Sequence, residues 1–301
     1  MAYMQALQKY NNEMEKKMAL VGNWFTEVCE EGGSAFSLKV RQKLHEEQTA
    51  FQKIEVYETE TFGNLMTIDG LVMLTQRDNF LYHEMMSHPV LFTHPNPERV
   101  LIIGGGDCGT LREVLKHPGV KAVTQIDIDE GVTRASEKYF PELCESNADD
   151  RATIMFDDGI KWVKAASPGS YDVIIVDSTD PIGPAEGLFS RPFYQDCMAA
   201  LGENGLLVQQ SESPIYHMNI LGDMYKAMQS AGFLDVMSLF FPQPVYPSGW
   251  WSCTIACKDN VLSDFREADS DNLSFATEYY NSAVHRAAMA APAFFYRNLN
   301  K

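Results

Sequence analysis

The sequence predicts an α/β protein, a parallel-rich sheet with helices on both faces, preceded by a small antiparallel β region. Three observations carry this. Beyond residue 78, apolar strand-like runs alternate with helix-like segments. Before it, polar and apolar residues alternate and Asp69-Gly70 separates two apolar runs. A glycine-rich turn, Gly104 to Gly109, follows the first of the later strands. The 301 residues then divide into an N-terminal helical extension (1–21), a small antiparallel β domain (22–78) and a larger α/β domain (79–301).

Residues 1–21 carry helix formers, with Met4, Leu7, Met14 and Met18 near helical spacing. "FQKIEVYET" alternates, and "LMTIDGLVML" has the pattern of a two-residue hairpin. "NFLYHEMMSHPVLFTH" reads as a helix leading into the strand "RVLIIGGGD". Further strands follow at "AVTQIDID", "ATIMFDDG", "YDVIIVD" and "GLLVQQSE". Between them "TLREVLKH", "EGVTRASEKYF" and "RPFYQDCMAAL" read as helices.

Hydrophobic content of 45% and charged content of 22% are ordinary for a globular chain. No apolar run approaches the roughly 18 residues that span a bilayer, and the first residues lack the basic start and apolar core of a signal peptide. Six cysteines without a C-x-x-C read as free thiols, so the expected location is cytoplasmic. A net charge of −17 disfavours nucleic acid and anionic membrane as partners and suits a cationic ligand.

In such sheets ligands bind beyond the carboxyl ends of the strands. After the first strand Gly104, Gly106 and Gly109 satisfy G-x-G-x-x-G, with Asp107 inside the turn. After the second come Asp127 and Asp129; an acid there accepts hydrogen bonds from a ribose diol, and Asp127 is the better candidate, since Asp129 suits a helix cap equally well. The third ends in Asp158-Gly159, able to meet an adenine edge or to cap the following helix. The fourth ends in "DSTDPIGP", where Asp177 and Asp180 sit three apart and Pro181 and Pro184 forbid a regular α-helix.

Pyrophosphate would call for basic residues, and this rim offers only Arg112 nearby. The pattern points instead to an adenosine-containing ligand without phosphates, with cationic groups, or to an amine. An alkylammonium cannot attack a sulfonium carbon, and its neutral form lies about 4.6 kcal/mol uphill at pH 7. A positioned carboxylate can hold the cation and then take its proton. No metal is expected: His83 and His88, five apart, do not share a helix face as the histidines of H-E-x-x-H do.

The blocks "GNWFTE", "DGLVMLTQRDNFLYHEMMSHPVL", "VLIIGGGDCGTLREVLKHPGV", "DDG", "DVIIVDSTDPIGPAEGLFS", "FYQDC" and "VYPSGWWS" together resemble the spermidine synthases, within the polyamine aminopropyltransferase family. The resemblance implies a β domain followed by a Rossmann-like catalytic domain of the S-adenosylmethionine-dependent-transferase type, assembled as homodimers or homotetramers. It implies decarboxylated S-adenosylmethionine as co-substrate, with no permanently bound cofactor, and transfer of its aminopropyl group to putrescine, releasing methylthioadenosine. Carried over position by position, Asp177 would accept the proton and Asp180 would help hold the diamine. Gln52, Asp107, Asp127, Asp158, Gly159 and Pro184 would bind the donor. Trp24, Tyr82, His83, Gln210, Glu212 and Tyr246 would join Asp107, Asp177 and Asp180 around the amine. Two positions depart from the family pattern: Cys108 stands where a glycine is usual, and Asp127 where a glutamate is usual. The competing readings are an amine N-methyltransferase, an aminopropyltransferase for cadaverine, agmatine or spermidine, and a non-catalytic amine-binding subunit. Asp107 opposes the first, because it would repel the carboxylate of intact S-adenosylmethionine.

Overall fold

The computed structural model describes residues 20, 22–181, 183–259 and 261–299. The helix expected over residues 1–21 lies outside them, Leu20 apart. The strands β1 (Trp24–Cys29), β2 (Ser34–Gln48), β3 (Lys53–Thr59), β4 (Asn64–Ile68) and β5 (Leu71–Thr75) form an antiparallel sheet in sequence order. Its last hairpin turns at Asp69-Gly70, with φ of 50° and 84°, the left-handed pair a type I′ turn requires. Asp69 Oδ1 accepts a hydrogen bond from Lys53 N at 2.8 Å, tying the turn to β3.

The second sheet has seven strands: β6 (Arg99–Gly104), β7 (Ala122–Asp127), β8 (Ala152–Phe156), β9 (Tyr171–Asp177), β10 (Leu201–Gln210), β11 (Asp235–Pro242) and β12 (Trp250–Cys257). Their order is β11-β12-β10-β9-β6-β7-β8. The run from β10 to β8 is parallel, whereas β12 pairs antiparallel with both β10 and β11. The sequence reading did not identify those last two strands.

The near-continuous apolar runs follow from burial on both faces. Val100, Ile102, Val173 and Ile175 pack under α1 (Asn79–Thr93) and α2 (Gly109–Leu115). Leu101, Ile103, Ile174 and Val176 face the other way, against α4 (Gly159–Ala165), α5 (Arg191–Ala200) and α6 (Met218–Ala231). Each fully buried aliphatic side chain contributes roughly 1.5–3 kcal/mol. α3 (Glu130–Tyr139) joins the two sheets, since its Val132 and Ala135 share a core with Ile54, Val56 and Met66 of the small one. Three short helices, α7 (Glu267–Asp271), α8 (Ser282–Ala288) and α9 (Phe295–Leu299), complete the described chain.

The chain lays down β6, then β7 and β8 to one side, and crosses over to place β9 on the other side of β6. The order reverses between β6 and β9, and such a switch point opens a crevice at the carboxyl ends. There Gly104 pairs with Asp177. Gly104 has φ 83°, and a Cβ on it would lie 2.1 Å from the Asp177 carbonyl oxygen. Gly70 is also left-handed but faces open space. Gly70→Ala is therefore expected to cost about 1–2 kcal/mol, and Gly104→Ala at least about 2 kcal/mol more through the clash, read from denaturant midpoints.

Candidate active site

Above the switch point lies a cleft of about 1050 Å³ of empty space, open to solvent. Its floor is the loop Gly104–Asp107, and its rim carries Asp127, Asp158 and Asp177 from neighbouring strand ends. Met66, Ile68 and Met73 of the small sheet form the opposite wall. A smaller pocket adjoins it, lined by Glu27, Asp180 and Gln210. Tyr82 and Tyr246 line both.

Asp177 ends β9 with both carboxylate oxygens engaged. Tyr82 Oη donates to Oδ1 and Thr110 Oγ1 to Oδ2, each at 2.6 Å. Burial, then the nearby Asp107 charge, raises its pKa. Asp107 is treated differently. Gly109 N donates to its Oδ1 at 2.6 Å, and His83 Nε2 lies 3.1 Å from Oδ2. Burial opposes its charge, but His83 and that backbone bond outweigh burial and lower its pKa. His83 in turn is raised: its own burial works against protonation, and Asp107 overcomes it. His83 lies behind Asp107, outside the linings. Gly109 makes this possible, because a Cβ there would sit 2.2 Å from the imidazole.

Asp127 lines the cleft, accepts from Asp129 N at 2.8 Å, and is pushed by burial up to about 6. Asp129 instead caps α3 through Gly131 N and accepts from Thr49. Asp158 borders the cleft and also caps α4, accepting from Ile160 N and Lys161 N. Gly159 is required by packing, since a Cβ would meet Ile103 at 2.4 Å. Gln52 lines the cleft. Residues 183–189 form a 3₁₀ turn, and the Pro184 side chain lies outside what the structure describes.

In the smaller pocket burial, then Glu212 and Glu27, pushes Asp180 up to about 9. Glu212, buried behind it, is held at φ 66° and pairs with His217 Nδ1 at 2.9 Å. A non-glycine residue in that region is strained, as functional positions often are. Gln210 Nε2 donates to Glu212 Oε1, and Tyr246 Oη donates to Met73 O at 2.6 Å. Trp24 does not line the pocket. The β1 residue that does is Glu27, an odd number of positions along and so on the other strand face. Glu27 accepts from Val72 N at 2.6 Å, and burial raises its pKa. Sequence reasoning passed over Glu27 and Thr110. The signal for Glu27 was an acid within the strand-like "WFTEVC"; Thr110, a helix residue after the glycine turn, carried none.

No lysine, arginine or histidine lines either pocket among the described residues. His83 and His88 point apart, as their spacing implied: His83 pairs with Asp107 and His88 with His117 and Glu113. Glu84, His88 and Glu113 bring possible ligand atoms within 4.8 Å of one another. Their capacity is already engaged, however. Glu84 accepts from the backbone N–H groups of residues 278–280, and Glu113 pairs with Arg112 and Lys116.

Sheet order and strand-end site define a Rossmann-like fold of the methyltransferase type. Residues 79–266 match the spermine/spermidine synthase domain, and residues 23–76 the spermidine synthase tetramerisation domain. A polyamine aminopropyltransferase of Thioalkalivibrio sulfidiphilus is 64% identical over 94% of this chain and 99% of its own. That of Nitrosococcus oceani is 62% identical over 90% and 95%. A spermidine synthase solved with the transition-state analogue AdoDATO superposes with a TM-score of 0.90 at 35% identity, covering 93% of this chain and 96% of that one. The Thermotoga maritima enzyme gives 0.88 at 35%, covering 93% and 95%. The chain belongs to the spermine/spermidine synthase family and is an aminopropyl-transferring enzyme.

The raised acids couple stability to pH. An acid whose folded pKa lies above its unfolded value contributes fully below about pH 4, and the contribution is lost as pH climbs through the folded value. For Asp180 the window runs from about 4 to about 9. The ligand-free protein is therefore expected to lose thermal stability between pH 5.5 and 8.5, and Asp180→Asn to shrink that loss, measured by Tm at the two pH values.

Proposed function

We propose that the enzyme moves the aminopropyl group of decarboxylated S-adenosylmethionine to putrescine, giving spermidine and methylthioadenosine. The observation that carries this is a site of carboxylates whose linings hold no cation among the described residues. Buried charge of one sign needs a partner, and a cationic donor beside a dicationic acceptor supplies it.

In this reading the cleft takes the nucleoside: Asp127 toward the ribose, Asp158, Gly159 and Pro184 around the adenine, and Gln52 at the donor's edge. Asp107, kept charged by His83, holds the donor's amine. The acceptor threads past Tyr82 and Tyr246 into the smaller pocket. Its remote ammonium meets Asp180, Glu27 and Gln210, with Glu212 behind. Asp177 takes a proton from the near ammonium, and the freed lone pair attacks the methylene next to sulfur. The C–N bond forms as the C–S bond breaks, and sulfur leaves as a neutral thioether. Hydrogen bonds from Tyr82 and Thr110 fix the carboxylate, and its raised pKa makes it a better base.

The matched tetramerisation domain supports self-association through the small β domain, as a homodimer or homotetramer, and the division 22–78 and 79–301 belongs to the same reading. No helix of the described residues is long and apolar enough to cross a membrane; a cytoplasmic place, without nucleic acid or membrane partners, fits the acidic chain.

The test is to supply putrescine with either donor and identify the nucleoside released. Methylthioadenosine from the decarboxylated donor supports the proposal; S-adenosylhomocysteine from the intact one would sink it. Asp177→Asn is expected to lower kcat by roughly 10²–10⁴-fold, with methylthioadenosine affinity within about twofold by calorimetry. Glu27→Gln is expected to raise KM for putrescine roughly tenfold while kcat changes little, because it removes a charge that meets the acceptor before and during reaction alike.

A further inference from the structure

Cys108 occupies a position that glycine fills without strain. Its φ is 69°, and although it is the N-cap residue of α2 its side chain makes no capping hydrogen bond. The buried thiol donates to Gly106 O at 3.6 Å and accepts from Gln125 Nε2 at 3.7 Å. Cys144, partly exposed in the loop after α3, donates to Asp107 O at 3.7 Å. The two sulfurs thus rest on consecutive carbonyls of the glycine loop, those of Gly106 and Asp107. Between those carbonyls stands Asp107, whose carboxylate is set by Gly109 N and His83.

We propose that Cys108 and Cys144 are a modification site, joined by a peroxide into a disulfide that pins the glycine loop to the loop after α3. The Cys144 thiolate attacks a peroxide oxygen, the O–O bond breaks, and Cys144 sulfenic acid and hydroxide result. The Cys108 sulfur then attacks the sulfenic sulfur, forming the S–S bond and expelling hydroxide, which takes up the released proton. Two thiols and one hydrogen peroxide give one disulfide and two waters; the electron pair goes to the O–O bond. An S–S bond of about 2 Å draws both sulfurs off the Gly106 and Asp107 carbonyls they rest on, so closure moves the turn that carries Asp107 and weakens the hold on the donor. That consequence rests on the proposed function; the cross-link does not. The Cys108 thiol, then burial, raises the Cys144 pKa, so oxidation is slow near neutrality and quickens with pH.

The test treats the full chain with hydrogen peroxide at pH 7 and pH 8.5, alkylates the remaining thiols, and maps peptides without reductant. A peptide pair joining residues 108 and 144, formed faster at pH 8.5 and lost on reduction, is expected. Titration with decarboxylated S-adenosylmethionine should then be weaker by roughly tenfold after oxidation, and restored by dithiothreitol. Cys144→Ser should bind the donor normally and ignore peroxide, and Cys108→Gly, which relieves the left-handed strain, should fold and form no cross-link. Oxidation of both thiols to separate acids, with no joined peptide, overturns the site. A joined peptide with unchanged donor affinity overturns its effect on the donor. If the reduced protein does not bind the donor, the proposed function fails with that effect, and the peptide map still decides the site.

Discussion

The site depends on one close approach. Gly105 N donates to Asp177 O at 2.8 Å, and Gly104 leaves no room for a side chain against that carbonyl. This contact seats the glycine loop on the end of β9 and holds Asp177 and Asp107 beside the same opening. It occurs where the strand order reverses, so the crevice and the carboxylates arise from the same topology. With Asp127 one strand further along, charge gathers at a rim that supplies few counter-charges of its own. The fold answers in two ways. Asp107 is given a buried imidazole, and Asp177, Asp180 and Asp127 shift toward the protonated form. A bound cation reverses that shift, so ligand binding and proton loss are linked.

The small sheet contributes chemistry as well as support. Glu27 reaches the smaller pocket from β1, Met73 accepts the Tyr246 hydroxyl from β5, and Met66, Ile68 and Met73 wall the cleft. Its shared core with α3 fixes these groups relative to the strand ends. A change in how the two sheets pack would therefore alter acceptor binding without touching Asp177.

Much of this was legible in the sequence because it is local. The Asp69-Gly70 turn, the strands alternately facing two helical layers, and the acids at four strand ends follow from spacing and turn chemistry. What was not legible depends on distant partners. Nothing in "WFTEVC" says that Glu27 meets Asp180, some 150 residues away in the chain. His83 stood beside Tyr82 in sequence, yet only the packing of α1 on the glycine loop turns it behind Asp107. Trp24 and Glu27 separate because strand neighbours at odd spacing face opposite ways. The antiparallel end of the large sheet was missed because residues 243–249 join β11 to β12, so the turn at Pro247-Ser248-Gly249 does not stand between two adjoining apolar runs as Asp69-Gly70 does.

The central claim is that the site's excess carboxylate is held partly protonated until cationic substrates arrive. Calorimetric titration of putrescine into the methylthioadenosine-bound enzyme near pH 7.5, repeated in buffers of different ionisation enthalpy, measures the protons exchanged. The account predicts net proton release, reduced in Asp180→Asn. Binding with no proton exchange, or with net uptake, would contradict it.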